Sequence, residues 1–170
     1  MHSHPLNSVT PATFSDVFEL LESANVRYVV VSGVAVVLHG HVRPLADLDL
    51  VVGGAPGEQD RAVQALMLGG FVPSLPVPLA MLTVLRMFDQ SAREVDLFRN
   101  YHIPFAELWA NSKAIAIGAG TARVAALEHV LRAKRTQGRP HDLEDIAALT
   151  LLESQAGENL FRAIKLTEEL

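Results

Sequence analysis

The chain has no cysteine among its 170 residues, which excludes disulfides, thiolate zinc sites and thiol catalysis. Aromatic residues supply only 6% of it, with a single tryptophan. Positive charge is the minority sign: 14 Lys and Arg face 19 Asp and Glu, for a formal net charge of −5. That balance argues against a broad basic nucleic-acid-binding surface but permits a local cationic pocket. No apolar run reaches the roughly 20 residues of a membrane span. The start, Met1-His2-Ser3-His4-Pro5, lacks the basic segment and apolar core of a secretion signal. A cytoplasmic protein without membrane contact is therefore expected. Repeats and low-complexity segments are also missing. What the chain does have is 49% hydrophobic residues, enough for one compact core with a helical extension.

The apolar pattern orders the elements. Thr10-Pro11 marks a helix start, and Phe14, Val17, Phe18 and Leu21 recur at helical spacing up to about Asn25. Arg27 to Val31 is a β-branched run that reads as a buried strand. Ser32-Gly33, a short apolar helix from Val34 to Leu38, the loop at His39-Gly40 and a second strand through Leu50-Val51-Val52 follow. Glu58 to Leu68 reads as a covering helix whose inward spacing is Val63, Leu66 and Met67. Phe71 to Leu79, with three prolines, should be extended and irregular. Strands are expected at Met81–Phe88, Glu94–Phe98 and Ala114–Ile117. From Val124 the pattern becomes helical, with Val124, Leu127, Val130 and Leu131 on one face and a break at Gly138-Arg139-Pro140. Separate helices from His141 to Glu153 and from Glu158 to Glu168 should finish the chain.

The chemistry is concentrated in Asp47-Leu48-Asp49. Successive strand side chains point to opposite faces, so the two aspartates share one face while Leu48 and Leu50 take the other. Paired carboxylates at the end of an apolar strand repel each other and need a cation or hydrogen-bond donors. Mg²⁺ prefers such oxygen ligands and is commonly shared with substrate phosphates. The ordinary alternative is a turn or cap. Asp96 adds a third acid inside the apolar run Val95-Asp96-Leu97-Phe98, where an unpaired carboxylate is costly. A salt bridge to Arg93 or Arg99 would satisfy it. Convergence with Asp47 and Asp49 would instead let three acids hold two Mg²⁺ ions roughly 4 Å apart. Ser32-Gly33 forms a small-residue turn that would suit phosphate or simply meet the preference of any strand-to-helix turn for small residues, and Arg43 could steady phosphate or neutralise the aspartates. His39 and His41, flanking a glycine, read as solvent-facing or backbone-bonded. Phe105, Leu108 and Trp109 read as anchors of a helix on the sheet.

Together, Val30-Val31-Ser32-Gly33-Val34-Ala35, His39-Gly40, Arg43, Asp47-Leu48-Asp49-Leu50-Val51-Val52 and Asp96 resemble the nucleotidyltransferase superfamily that includes DNA polymerase beta. The likeness spans residues from about 14 to 150 and is nearer to the small bacterial branch of minimal and AbiEii-like nucleotidyltransferases. Ser32 stands where that family usually has glycine. The segment from Lys134 to Asp145, including Gly138-Arg139-Pro140-His141-Asp142, resembles a segment common in the AbiEii-like branch.

The resemblance implies an α+β fold, a mixed β-sheet flanked by helices. Its nucleotidyltransferase core would cover 1–122 and a packed C-terminal helical segment 123–170. It implies transfer of an NMP from an NTP to an acceptor hydroxyl with two Mg²⁺ ions, Mn²⁺ being an alternative metal. Asp47, Asp49 and Asp96 would be catalytic and metal-binding; Ser32, Gly33, Arg43, Lys134 and Asp142 would bind nucleotide. The acceptor could be an RNA terminus, a small molecule or a protein. Two alternatives stay open: a weak or inactive module that binds nucleotide or a partner, and an RNA-modifying toxin of a toxin-antitoxin pair. An antitoxin or a second copy of the chain would then be the protein partner.

Overall fold

A computed structural model describes residues 9–168; the Met1–Pro5 stretch weighed above lies outside them. A 3₁₀ turn at Pro11–Phe14 leads into α1 (Ser15–Ser23), with Phe14, Val17, Phe18 and Leu21 all buried as their spacing requires. β1 (Tyr28–Val31), buried along its length, runs directly into α2 (Ser32–Leu38). β2 (Asp47–Val52) and α3 (Glu58–Leu68) follow, then β3 (Val72–Pro73), β4 (Val84–Phe88), β5 (Glu94–Phe98), α4 (Phe105–Asn111), β6 (Lys113–Ile117) and β7 (Gly120–Val124). α5 (Leu127–Gln137) and α6 (Pro140–Glu168) close the chain.

The strands form one mixed sheet in the order β3-β4-β5-β2-β1-β7-β6. β1 pairs antiparallel with β2 and parallel with β7, while β2 pairs parallel with β5. The chain is α+β, as expected. Helix α1 packs on α3 and β7, and α2 is wedged against β1, β2 and α5. The core gathers Phe14, Leu21, Leu48, Leu50, Leu66 and Leu97, each essentially without solvent exposure. No helix of the described residues is long and apolar enough to cross a membrane.

Several expectations are corrected. Met81 lies in a 3₁₀ turn (Leu79–Met81) and the strand begins only at Val84; the amides of Met81 and Leu82 donate back to the carbonyls of Pro78 and Leu79 and so are not available to the ladder. α3 turns Ala62, Ala65 and Leu66 inward and leaves Met67 exposed. Small alanines let the helix lie close to its neighbours, which a hydrophobicity pattern undervalues. Val124 ends β7 instead of opening a helix. Its hairpin with β6 is turned by Gly118, at a φ of 59°, which glycine tolerates without a Cβ penalty. The two C-terminal helices are one, because Gly157 is accommodated mid-helix at a cost of about 1 kcal/mol and no proline interrupts it. From Thr150 to Glu168 that helix is exposed on all sides.

One buried ionic contact fastens α3 to β1. Glu58, 1% exposed, accepts hydrogen bonds from Arg27 Nε at 3.1 Å, Arg27 Nη2 at 2.9 Å and the backbone amides of Arg27 and Ala55. Removing the carboxylate strands those amides in a dry environment. Glu58→Ala should lower unfolding stability by about 2–4 kcal/mol in a urea titration; a loss below about 0.5 kcal/mol would show the contact to be dispensable.

Candidate active site

Strand register brings the acids together. In the parallel pair of β2 and β5, Asp49 lies opposite Asp96 and Asp47 opposite Glu94, and directly opposed residues share a sheet face. Ligand oxygens of Asp47, Asp49 and Asp96 all lie within 4.8 Å of one another, the one such grouping among the described residues. Leu48 and Leu50 are fully buried on the other face, so the apolar half of the motif holds the acidic half in place.

The cluster is under electrostatic stress. Burial, followed by the charges of Asp47 and Asp96, pushes the Asp49 carboxyl up to about 7, partly offset by the Ser32 hydroxyl and Arg86. Its Oδ1 is buried with no hydrogen-bond partner. Asp47 is raised as well, by burial and then by Asp96. Asp96 is better served. Arg86 Nε donates to its Oδ1 at 2.8 Å and Arg86 Nη2 to its Oδ2 at 2.9 Å.

That partner corrects the sequence reading, which offered Arg93 or Arg99. Arg93 is engaged by Asp16 and Asp89 near the β4–β5 turn, whereas the antiparallel register of β4 and β5 sets Arg86 directly across from Asp96. An alternation argument could have put Arg86 on the acidic face, but only once the pairing was known.

A cavity of about 240 Å³ opens beside the acids, lined by Ser32, Gly33, Arg43, Asp47, Asp49, Lys134, Arg139 and His141 among others. Ser32 has a φ of 57°, a left-handed conformation that costs a residue with a Cβ about 1 kcal/mol or more. A Cβ on Gly33 would lie 3.2 Å from Arg43 Nη2, so the bare glycine lets the turn rest against that guanidinium. Arg43 itself neutralises neither Asp47 nor Asp49. It forks onto Asp145, with Nε to Oδ1 at 2.9 Å and Nη2 to Oδ2 at 3.0 Å.

Lys134 and Asp142 form a buried pair at the cavity wall, Nζ to Oδ1 at 2.9 Å, and Lys134 Nζ also lies 3.1 Å from Asp145 Oδ2. Asp142 is fully buried and accepts from Arg139 Nε at 2.7 Å and from the Arg139 backbone amide at 3.1 Å. Although burial opposes its ionisation, Arg139 and Lys134 hold its carboxyl well below the usual carboxylate range. Of these two residues only Lys134 lines the cavity. Arg139, His141 and Asp145 were not singled out from sequence, although they sit in or beside the quoted Lys134–Asp145 segment. His39 Nε2 is 2.7 Å from the Ala125 carbonyl oxygen and His41 Nε2 is 3.7 Å from Asp145 Oδ1; neither belongs to the acidic cluster. Phe105 and Trp109 stack on each other, with Leu108 buried beneath them.

Solved structures of other proteins share this architecture. LnuA, a lincosamide antibiotic adenylyltransferase determined with lincomycin bound, superposes with a TM-score of 0.63 at 18% identity, covering 85% of this chain and 98% of its own. The chain has a nucleotidyltransferase fold. ANT(2″)-Ia, determined with adenylyl-2″-tobramycin, matches at 13% identity and a TM-score of 0.57, covering 93% and 97% of the two chains. An antigenic nucleotidyltransferase-like protein from Paracoccidioides brasiliensis matches at 19% identity and 0.59, covering 83% and 75%. No protein-family model and no curated protein matches the chain. Within the nucleotidyltransferase fold, the acids stand at adjoining positions on two neighbouring strands and the cationic wall comes from the α5–α6 corner.

The raised Asp49 carboxyl has a definite pH signature. Between about pH 4 and 7 the folded chain keeps a proton that the unfolded chain has released, so the stability tied to that proton is complete below pH 4 and declines as pH rises through 7. Asp49→Asn removes the ionisation. Metal-free wild type should lose stability relative to this variant across that interval, by a few degrees of melting temperature at pH 8. A pH-independent difference between the two proteins would contradict the assigned shift.

Proposed function

We propose that the chain is a metal-dependent nucleotidyltransferase that moves an NMP from an NTP to an acceptor hydroxyl. The observation that carries this reading is the buried, unpartnered Oδ1 of Asp49 inside a group of three carboxylates, facing a cavity whose other wall is cationic. The donor set is all carboxylate oxygen, which fits Mg²⁺ or Mn²⁺ and not a softer ion. Asp47, Asp49 and Asp96 would hold the metal. Bound there, divalent ions would supply Lewis-acid activation and neutralise charge on the triphosphate.

The chain's own groups divide the remaining work. Lys134, Arg139 and His141 face the acids across the cavity and are placed to take the charge of the outer phosphates. Arg43 and Asp142 act behind them: Arg43 fixes Asp145, and Asp142 fixes both Lys134 and Arg139. Ser32 and Gly33 form the turn at the acidic end. Asp96 stands on β5, on the far side of Asp49 from β1, and would take the hydroxyl proton of an acceptor approaching over β4 and β5. LnuA and ANT(2″)-Ia were determined with antibiotic ligands; by that likeness a hydroxylated small molecule heads the acceptor candidates, ahead of an RNA terminus or a protein. Lining of the cavity by Lys134, Arg139 and His141 supports the AbiEii-like branch, with 1–122 as core and 123–170 as a C-terminal segment whose 134–145 stretch supplies the phosphate side.

A second reading is a nucleotide-binding module with little or no transfer activity. Occupation of both Asp96 oxygens by Arg86 favours it. Incubation with Mg²⁺, each α-labelled NTP and a panel of hydroxylated acceptors separates the two. Transfer of label should occur, and Asp49→Ala should reduce it by about 100-fold or more, the loss of several kcal/mol of charge stabilisation. Thermal stabilisation by Mg²⁺-NTP with no transfer to any acceptor would establish the module instead. Equal labelling by Asp49→Ala would remove the site assignment.

A further inference from the structure

Arg86 is the residue in this site that nucleotidyl transfer does not call for. It projects from β4 on the acidic face and meets three carboxylates: Asp96 through the two-pronged contact described above, Asp47 Oδ2 from Nη2 at 3.4 Å, and Glu94 Oε2 from Nη1 at 3.5 Å. These charges, Asp96 first, raise its own pKa further, so it is permanently cationic. Two of its partners, Asp47 and Asp96, belong to the candidate metal cluster.

The contact is incomplete in a telling way. Arg86 reaches Asp47 and Asp96 but leaves Asp49 Oδ1 without a partner. The Arg86 side chain is 45% exposed, against 10% for Asp96, so the guanidinium can rotate into solvent without unpacking the sheet. Val84 and Phe88, its neighbours on that face of β4, are themselves partly exposed. Geometry alone would permit a shared carboxylate, since each oxygen offers two lone-pair directions. Electrostatics opposes it, because a divalent ion a few ångströms from a guanidinium in a half-buried site is repelled strongly.

We propose that Arg86 is a resident counter-cation that competes with divalent metal for Asp47 and Asp96 and is displaced when metal loads. It stabilises the metal-free cluster and keeps the affinity for free metal low. Metal arriving with a polyphosphate brings its own negative charge and overcomes that competition, so the site fills as a metal–nucleotide complex. Displacement also clears the β4–β5 side, where the acceptor would approach. This rests on the three acids being the metal site, and the experiment treats the two claims separately.

The test is a Mn²⁺ titration without nucleotide, following free Mn²⁺ by electron paramagnetic resonance, together with melting temperatures in EDTA. Arg86→Met should bind Mn²⁺ about tenfold more tightly than wild type, as expected for losing one competing charge contact, and should melt several degrees lower in EDTA. Arg86→Lys, which keeps the charge but not the fork, should fall between the two and covers the case in which Arg86→Met fails to fold without metal. Equal or weaker Mn²⁺ binding by the folded variants, with wild type binding normally, overturns the role of Arg86 and leaves the metal site standing. Absence of Mn²⁺ binding in wild type and both variants overturns the metal site and this inference together.

Discussion

Negative charge confined on one sheet face governs this molecule. β2 and β5 pair in parallel so that Asp49 faces Asp96, and the apolar residues alternating with the acids on both strands are fully buried. The acids cannot separate without breaking that packing. Their repulsion is therefore imposed by the core, which is why Asp49 carries a carboxyl far from its usual range and an oxygen with no partner. A fold that tolerates such a cost is positioned to recover it when cations enter.

The positive groups are organised in two layers. Arg86 touches the acids directly, from the neighbouring strand. Lys134, Arg139 and Arg43 stand across the cavity, each tied to Asp142 or Asp145. Buried acids behind these cations do more than neutralise them: they fix the direction of long, otherwise mobile side chains, so that the cavity presents ordered positive charge. The α5–α6 corner is thus the counterpart of the acidic strands, and α2, packed on both β2 and α5, carries the Ser32-Gly33 turn.

Much of this was legible along the chain. The burial of α1 and β1, the ends of α3 and α5, and the shared face of Asp47 and Asp49 follow from local periodicity, glycine stops and the two-residue repeat of a strand. Other features were not. β7 is short, with small residues on its inward face, and its role depends on pairing with β1. The length of α6 turned on whether Gly157 breaks a helix, which the neighbouring sequence leaves balanced. Arg86 carries no local signal: the acid nearest it along the chain, Asp89, is held by Arg93, and its own partners come from β2 and β5.

By itself the sequence determined which side chains were obliged to find partners: carboxylates set in apolar strands, a lysine and arginines next to acids at a helix corner, a serine-glycine pair after a buried strand. These obligations are local, because desolvation penalises a charged group wherever the strand buries it. Tertiary structure alone decided the pairings. Strand register chose Arg86 over Arg93 for Asp96, and the packing of α5 against α2 turned the Lys134–Asp145 segment toward the acids. Coulomb attraction and hydrogen bonding act over a few ångströms of space, and distance along the chain carries almost no information about that separation.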